Sequence, residues 1–291
     1  MAENLTTTIS SASQTVEISR ENPTVIIGER INPTGRKKVL AALQEGNFDV
    51  VKTDATRQVE AGAAILDVNA GVPGADEPEL LKKVMQTVME VTDVPLCIDT
   101  ADPEALRAAL ENYEGKALIN STNGEEKSLD AIMPLVKEFN TAVIGLCMDD
   151  DGIPPTPQDR LAVAEKIISR ADKLGIPMED VIIDPLALTM GSDHNAGRIA
   201  LETIELVVEK FGVNITMGAS NISFGLPDRA YINSTYIAMA IYAGMTCPIT
   251  NPLITEIQTA VLAADLSMGR DEYGSRWIKA YRERQKKEAE S

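Results

Sequence analysis

The chain has 291 residues and a formal net charge of −17 at pH 7. This length suits one α/β barrel of about 250 residues, and the negative charge argues against a nucleic-acid partner. No apolar run approaches the roughly 20 residues of a membrane helix. Residues 1–22 also lack the basic and apolar regions of a secretory signal. We therefore expect a cytoplasmic protein with no membrane segment.

Strands and helices alternate along the chain. Runs of β-branched and aliphatic residues bounded by turn signals predict buried parallel strands, and helical patterns follow them. The eight predicted strands are residues 24–30, 63–71, 95–100, 117–123, 141–149, 181–184, 214–223 and 245–251. Eight strands with seven crossover helices and a closing helix predict a single α/β domain, a (β/α)₈ TIM barrel.

The predicted barrel has an extension at each end. Residues 1–22 are rich in Ser and Thr, and we expect this N-terminal extension to be mobile or loosely attached. Residues 23–270 form the barrel. Residues 271–291 are rich in Lys, Arg and Glu, which predicts a C-terminal amphipathic helix packed on the barrel.

Polar side chains gather at the carboxyl ends of the predicted strands. In TIM barrels this face carries the active site, because the loops there surround one opening. The side chains that we expect at this mouth are Glu29, Asn32, Asp67, Asn69, Asp99, Asn120, Asp184, Ser220 and Asn221. Carboxylates and amides of this kind suit a neutral heterocycle with several N–H donors along one edge.

Other kinds of site fit the sequence less well. A phosphate site would need Gly-rich loops with Lys or Arg at the mouth. The three cysteines and His194 show no spacing typical of metal ligands, and His194 has no evident triad partner. Because each cysteine falls in a predicted strand, buried free thiols in a reducing compartment are expected. We therefore predict that the chain holds no metal of its own.

Six motifs in barrel order resemble a known family. They are Gly28-Glu-Arg-Ile-Asn32, Leu66-Asp-Val-Asn-Ala-Gly71, Cys97-Ile-Asp-Thr100, Ile119-Asn-Ser-Thr-Asn123, Ile183-Asp-Pro185 and Gly218-Ala-Ser-Asn-Ile-Ser223. Together they look like the pterin-binding barrels of methyltetrahydrofolate:corrinoid methyltransferases. The same module forms the folate domain of cobalamin-dependent methionine synthase. The resemblance covers roughly residues 25–266.

The resemblance implies roles for individual residues. Asp99, Asn120 and Asp184 match the positions that hydrogen-bond the pterin ring, and Asp67 matches a residue of the pocket floor. Asn221 matches the asparagine that bonds near N5 as the methyl group leaves, which makes it the candidate catalytic residue.

Gly218 and Ser220, in the same motif as Asn221, are further candidate substrate-binding residues. With Ala219 between them, they are small enough for the backbone to approach a ligand closely.

The implied activity is SN2-type transfer of a methyl group between N5 of tetrahydrofolate and the cobalt of a corrinoid. In this family a partner protein carries the corrinoid, and the family also suggests a homodimer. The sequence leaves the direction of transfer open. Phe224 stands where some relatives have Gln, so the detailed substrate contacts are also open.

Two other functions and several structural roles stay open at this point. One is a pterin enzyme of the dihydropteroate synthase type, although residues 246–252 lack that family's basic motif on the last strand. The other is a non-catalytic folate-binding module, which would not need Asn221. Asp99 could instead cap the following helix, Asp184 could form a turn with Pro185, and Asn221 could anchor its loop.

Overall fold

Eight parallel strands form the centre of the computed structural model, which describes residues 2–290 and, in its last helix, side chains as far as residue 286. They follow a short hairpin of β1 (Thr7–Ser10) and β2 (Thr15–Ile18). The eight strands are β3 (Ile27–Ile31), β4 (Ile65–Asn69), β5 (Leu96–Asp99), β6 (Leu118–Asn123), β7 (Ala142–Leu146), β8 (Val181–Asp184), β9 (Thr216–Gly218) and β10 (Cys247–Thr250).

The strands close into a barrel. Their order is β8-β7-β6-β5-β4-β3-β10-β9, and every neighbouring pair is parallel. A parallel bridge between Ile183 and Ile215 joins the two edges of this sheet. The predicted TIM barrel is therefore confirmed.

Helices surround the barrel in the order that the sequence predicts. They are α1 (Lys37–Gln44), α2 (Asp49–Glu60), α3 (Glu77–Met89), α4 (Pro103–Leu110), α5 (Glu126–Phe139), α6 (Pro157–Lys173), α7 (Ala196–Phe211), α8 (Arg229–Ala243), α9 (Thr255–Ser267) and α10 (Ser275–Glu290). The side chains of Asp76, Asp102 and Thr156 accept backbone N–H bonds at the starts of α3, α4 and α6, which stabilises these helix ends. Within residues 2–290, every helix is too short or too polar to span a lipid bilayer.

Two apolar layers hold the barrel together. The larger one lies between the strands and the surrounding helices. The smaller one fills the barrel interior with side chains such as Ile27, Ile65, Cys97, Leu118 and Ile182. Each buried aliphatic side chain of this kind contributes about 1.5–3 kcal/mol of transfer free energy.

The N-terminal extension is not loosely attached, contrary to the expectation from its composition. Ile9 and Ile18 of the hairpin are fully buried against the interior layer of the barrel. The buried side chain of Asn214, just before β9, donates to the carbonyl oxygens of Leu5 and Ile18 and to Thr7 Oγ1. Because these contacts lie where the strands begin, the hairpin closes the N-terminal end of the barrel.

Two strands end three or more residues before their predicted ends. β7 ends at Leu146, and Asp149 pairs with Gly152 in a turn instead of continuing the strand. β9 ends at Gly218, and a 3₁₀ turn covers Ala219–Ser223. Asn221 therefore lies within this turn and not on a strand, so strand alternation does not determine where its side chain points.

Candidate active site

The polar residues of the mouth stand directly above the apolar interior of the barrel. Successive side chains of a strand point to opposite faces, so Asp67 shares the inner face with Ile65, and Asp184 shares it with Ile182. Both carboxyls are almost fully buried. The same alternation places Glu29, Asp99 and Asn120 on the inner face, above Ile27, Cys97 and Leu118. The predicted convergence of these strand ends is present in the structure.

Asp67 on β4 and Asn120 on β6 contact each other, although β5 lies between their strands. The Asn120 Nδ2 group donates to Asp67 Oδ1 over 3.0 Å, and the thiol of Cys97 also hydrogen-bonds to Asp67. Burial and the nearby Asp99 raise the pKa of Asp67 well above its usual range, although the bonds from Asn120 and Cys97 oppose this shift. Asp67 therefore forms a buried polar floor beneath the opening.

Asp99 lies between two amide side chains. Asn69 and Asp99 are register partners on β4 and β5, and Asn69 Nδ2 donates to the Asp99 carbonyl oxygen over 3.1 Å. Asn32 Nδ2 donates to Asp99 Oδ2 over 3.4 Å. Burial raises the pKa of Asp99 to about 6, with a smaller contribution from Glu77. The side chain of Asp99 does not cap α4, because Asp102 fills that position.

Asp184 is held by backbone N–H groups. Its Oδ1 accepts a 2.7 Å bond from the N–H of Leu186, and the N–H of Gly218 on β9 also donates to the carboxyl. Burial raises the pKa of Asp184 to about 6, and these two bonds moderate the shift. The Asp184-Pro185 turn therefore exists, and the carboxyl that forms it also lies on the inner face of the barrel.

The segment after β9 brings Gly218, Ser220 and Asn221 to the rim. Ser220 Oγ donates to Glu29 Oε1 over 2.9 Å. Asn221 is exposed, and its Nδ2 lies so close to Gly218 that an added Cβ there would sit 3.0 Å away. In the part of the chain that the structure describes, no hydrogen bond occupies the Asn221 amide, so it does not anchor its own loop. It remains available to a ligand at the opening.

Arg229, a cation that was not among the predicted site residues, also lies at this rim. The Arg229 guanidinium donates to the Ser220 carbonyl oxygen over 2.6 Å and to Ser223 Oγ over 3.0 Å. It also lies 5.8 Å from the centre of the exposed Phe224 ring. Arg229 is the first residue of α8. A basic residue at the start of the helix that follows a strand of the site could have been used to predict it.

Two further groups lie apart from the mouth. His194 is exposed in the loop before α7 and contacts the Asn195 side chain. Cys97, Cys147 and Cys247 are buried free thiols, as predicted, although Cys147 follows β7 rather than lying within it. The described residues contain no group of three or more His, Cys, Asp or Glu side chains arranged for a metal ion.

The lining determines which ligands the mouth can accept. It combines the buried carboxyls of Asp67 and Asp184 and the half-buried ones of Glu29 and Asp99 with amides. Desolvation raises the pKa of all four carboxyls. Carboxylates accept paired N–H bonds, whereas an amide can both donate and accept. Such a lining matches a flat heterocycle with N–H donors along one edge.

Comparison with known proteins identifies the class. The model of the family described as "Pterin binding enzyme" matches residues 28–251. The chain therefore belongs to the pterin-binding enzymes.

More particular relatives fall within this class. The chain is 31% identical over 265 residues to the methylcorrinoid:tetrahydrofolate methyltransferase of Eubacterium limosum, covering 89% of this chain and 96% of that relative. It is 28% identical over 256 residues to the methionine synthase of Mycobacterium tuberculosis, covering 84% of this chain but only 22% of that protein.

Solved structures share the fold. Dihydropteroate synthase from Xanthomonas albilineans, in complex with 7,8-dihydropteroate, has a TM-score of 0.64 at 20% identity, covering 89% of this chain and 98% of that chain. The dihydropteroate synthase of Thermus thermophilus has a TM-score of 0.63 at 19% identity, with coverages of 89% and 99%. At this level of identity, the likeness shows the architecture alone.

Proposed function

We propose that this enzyme transfers a methyl group between N5 of tetrahydrofolate and the cobalt of a corrinoid bound to a partner protein. The observation that carries the proposal is the unoccupied amide of exposed Asn221, at the rim of a mouth lined by carboxyls and amides. The Eubacterium limosum relative, a methylcorrinoid:tetrahydrofolate methyltransferase, supports the same reaction. The direction of transfer is left open.

In this proposal Asp99, Asn120 and Asp184 bind the pterin. Their carboxylates accept the N–H groups along one edge of the ring, and the Asn120 amide supplies a mixed donor and acceptor. Asp67 orients Asn120 through their hydrogen bond. Gly218 and Ser220 have small side chains, so the pterin ring can approach the backbone there. These assignments follow from side chains that converge on one opening.

Asn221 is the proposed catalytic residue. A methyl group on the tertiary amine N5 is hard to displace, because the bonding electron pair must return to nitrogen as the C–N bond breaks. A hydrogen bond that strengthens as this charge develops lowers the barrier. The nucleophile, cobalt in its reduced state, belongs to the partner's corrinoid. The chain itself therefore has no need of a resident metal, and elemental analysis of active protein should find none in stoichiometric amount.

The decisive experiment mixes protein, methyltetrahydrofolate and free Co(I) cobalamin and follows the corrinoid spectrum. Methyl transfer should convert the Co(I) spectrum to that of methylcobalamin, and the reverse assay should consume methylcobalamin with tetrahydrofolate. Folate binding without spectral change would indicate a non-catalytic binding module. Condensation of a pterin pyrophosphate with 4-aminobenzoate would instead indicate a dihydropteroate synthase activity.

We also propose that the enzyme is a homodimer in the cytoplasm. Large exposed side chains recur along one stripe of α8, namely Tyr231, Met239 and Tyr242, which are 66%, 49% and 74% exposed. Tyr231 and Met239 line an apolar groove of about 550 Å³ between α7 and α8. An exposed apolar patch of this kind favours a protein contact, and a second copy of the chain is the partner that we propose. Light scattering should give a dimer mass, and Met239→Glu should give a monomer that still binds folate.

A further inference from the structure

Arg160, in the first turn of α6, is a buried cation to which the proposed reaction assigns no role. Its side chain is 1% exposed. Its Nε donates to the Pro154 carbonyl oxygen over 2.9 Å, and its Nη1 donates to those of Pro185 and Leu186 over 2.8 Å each. It forms no salt bridge with any described carboxylate. Burying a guanidinium without a carboxylate partner costs free energy, and its bonds to backbone carbonyls must offset this cost.

The carbonyls that Arg160 binds belong to the loops after β7 and β8. Pro185 and Leu186 immediately follow Asp184, and the Leu186 N–H donates to Asp184 Oδ1 over 2.7 Å. Leu186 has a φ of +64°, in the left-handed region that residues with a side chain rarely adopt. A turn of this kind persists only when its surroundings hold it. One nitrogen of the rigid, planar Arg160 guanidinium, Nη1, binds two of its carbonyls, while Nε binds the preceding loop at Pro154.

We propose that Arg160 is a positioning residue for ligand binding: by fixing the Pro185-Leu186 turn, it aims the Asp184 carboxylate at the ligand in the barrel mouth. The proposal rests on the proposed function in one respect, namely that Asp184 contacts the pterin. Arg160 itself lies behind the turn and does not touch the ligand.

The charge of Arg160 acts in the same direction as its geometry. Its field opposes the effect of burial on Asp184 and favours the ionised carboxylate. The other titratable groups that face Arg160 or Asp184 are Cys147, Tyr236, Asp193 and Cys247. Burial raises the pKa of Cys147, Tyr236 and Cys247, so these three groups stay neutral near neutral pH. Asp193 adds negative charge, so Arg160 is the cation in this set.

The test measures 5-methyltetrahydrofolate affinity as a function of pH for wild type, Arg160→Met and Arg160→Lys. Lys116→Met is the matched control. It removes a cation paired over 2.6 Å with the buried Asp180 at the N-terminal end of the barrel. Asp184→Asn, alone and combined with Arg160→Met, completes a double-mutant cycle. The ligand titrates in the same way with every variant. Differences from the wild-type pH profile therefore come from groups of the protein.

We expect Arg160→Met to weaken folate binding by about 10-fold to 100-fold and to move the acid limb of the binding profile to higher pH. Arg160→Lys keeps the charge but not the fork. It should therefore weaken binding while leaving the limb near its wild-type position. Lys116→Met should lower the melting temperature and keep folate affinity within about 2-fold. With Asn at 184, the further loss caused by Arg160→Met should nearly vanish, because the group that Arg160 positions has changed.

Other results overturn the proposal. Folded Arg160→Met or Arg160→Lys with wild-type affinity would show that the turn does not need Arg160. An equal loss in the Asp184→Asn background would reduce Arg160 to a general structural role. If Arg160→Met does not fold, Arg160→Lys decides on the same criteria. Wild-type protein that binds folate without methyl transfer contradicts the proposed function and leaves this test intact, whereas wild type that binds no folate overturns both.

Discussion

The amide of Asn120 donates a hydrogen bond to the carboxylate of Asp67 over 3.0 Å, although β5 separates their two strands. This bond fixes the rotation of the amide, with Nδ2 directed at Asp67, so its oxygen remains available to a ligand. The arrangement keeps a nearly buried carboxyl partnered and orients a neighbouring side chain. In the proposed binding mode, Asp67 acts on the ligand through Asn120.

Replacing Asn120 with Asp should reverse this relationship. Two carboxyls at this separation cannot both ionise cheaply, and they share a proton. We expect Asn120→Asp to be less stable than wild type near pH 8, with the difference shrinking as the pH falls towards 5. Folate affinity should drop by at least about 10-fold, because the mixed donor and acceptor is lost. Urea unfolding at several pH values and calorimetry check both effects, and a stability difference that does not depend on pH would contradict the carboxyl pairing.

Asn221→Ala should separate chemistry from binding. If the amide interacts mainly with charge that develops at N5, kcat should fall by about 10²–10³, the loss typical of one preorganised donor, whereas the folate Kd changes little. Single-turnover methyl transfer, calorimetry and thermal unfolding on one preparation measure the three quantities.

Asn112→Ala is the control for this experiment, since Asn112 is exposed at the end of α4 and bonds only the Ala108 carbonyl oxygen among the described residues. Equal losses of kcat, affinity and stability in Asn221→Ala would indicate a structural role instead.

Folate affinity should depend on pH through Asp99 and Asp184, whose pKa values are raised to about 6. The ionised forms accept N–H bonds from the pterin, so affinity should be full above about pH 7 and should weaken as the pH falls through 6. Each group weakens binding by up to about tenfold per pH unit below its pKa. Binding curves from pH 8 to 5 test this, and a flat profile in that range would exclude both carboxylates from the ligand.

Asp184→Asn should weaken folate binding and stabilise the unliganded protein. A carboxyl with a raised pKa in the folded state favours the protonated form, so its ionised form destabilises the fold above about pH 6. This penalty shrinks as the pH falls below the folded pKa and disappears only below the ordinary value of 3.8. Asn keeps an oxygen for the Leu186 N–H and carries no charge. We expect a gain of about 1–3 kcal/mol in unfolding free energy at pH 7.5 and roughly half of that gain at pH 5. Denaturant melts at both pH values provide the check.

Asn214→Ala should destabilise the protein without affecting the mouth. The change leaves the carbonyls of Leu5 and Ile18 without the buried amide that they now share. The expected cost is about 2–4 kcal/mol of unfolding free energy. Folate affinity should stay within about 2-fold, because Asn214 lies at the opposite end of the barrel. A large loss of affinity in a folded variant would show that the two ends are coupled.

Most of the barrel was predictable because its strands are short apolar runs that end in polar residues. The alternation in segments such as Ile65-Leu-Asp67 predicts both the strand and the position of the Asp67 carboxyl on the inner face. The hairpin was not predictable from its composition. Only a few apolar residues, among them Ile9 and Ile18, break its Ser/Thr-rich sequence, and their burial depends on an interior that exists only once the barrel has closed.

The part of the site built by turns was also beyond pattern analysis. Where β9 stops decides how Ser220 and Asn221 face the mouth, and that depends on the 3₁₀ turn rather than on local apolar spacing. Arg229 reaches Ser220 and Ser223 only because of the same turn. Arg160 looked like an ordinary polar residue at the start of an amphipathic helix, since the carbonyls that it binds lie about 25 residues further along the chain or in the preceding loop.

The hairpin across the start of the barrel strands has a kinetic consequence for the proposed reaction. Because the hairpin covers the N-terminal end of the barrel, both substrates must reach the site through the C-terminal mouth, and we expect the docked partner protein to cover that mouth. Folate therefore has to arrive before the corrinoid protein docks and cannot leave until that protein departs. We expect a compulsory order of addition, in which excess corrinoid protein slows the exchange of bound folate because the docked protein covers the mouth.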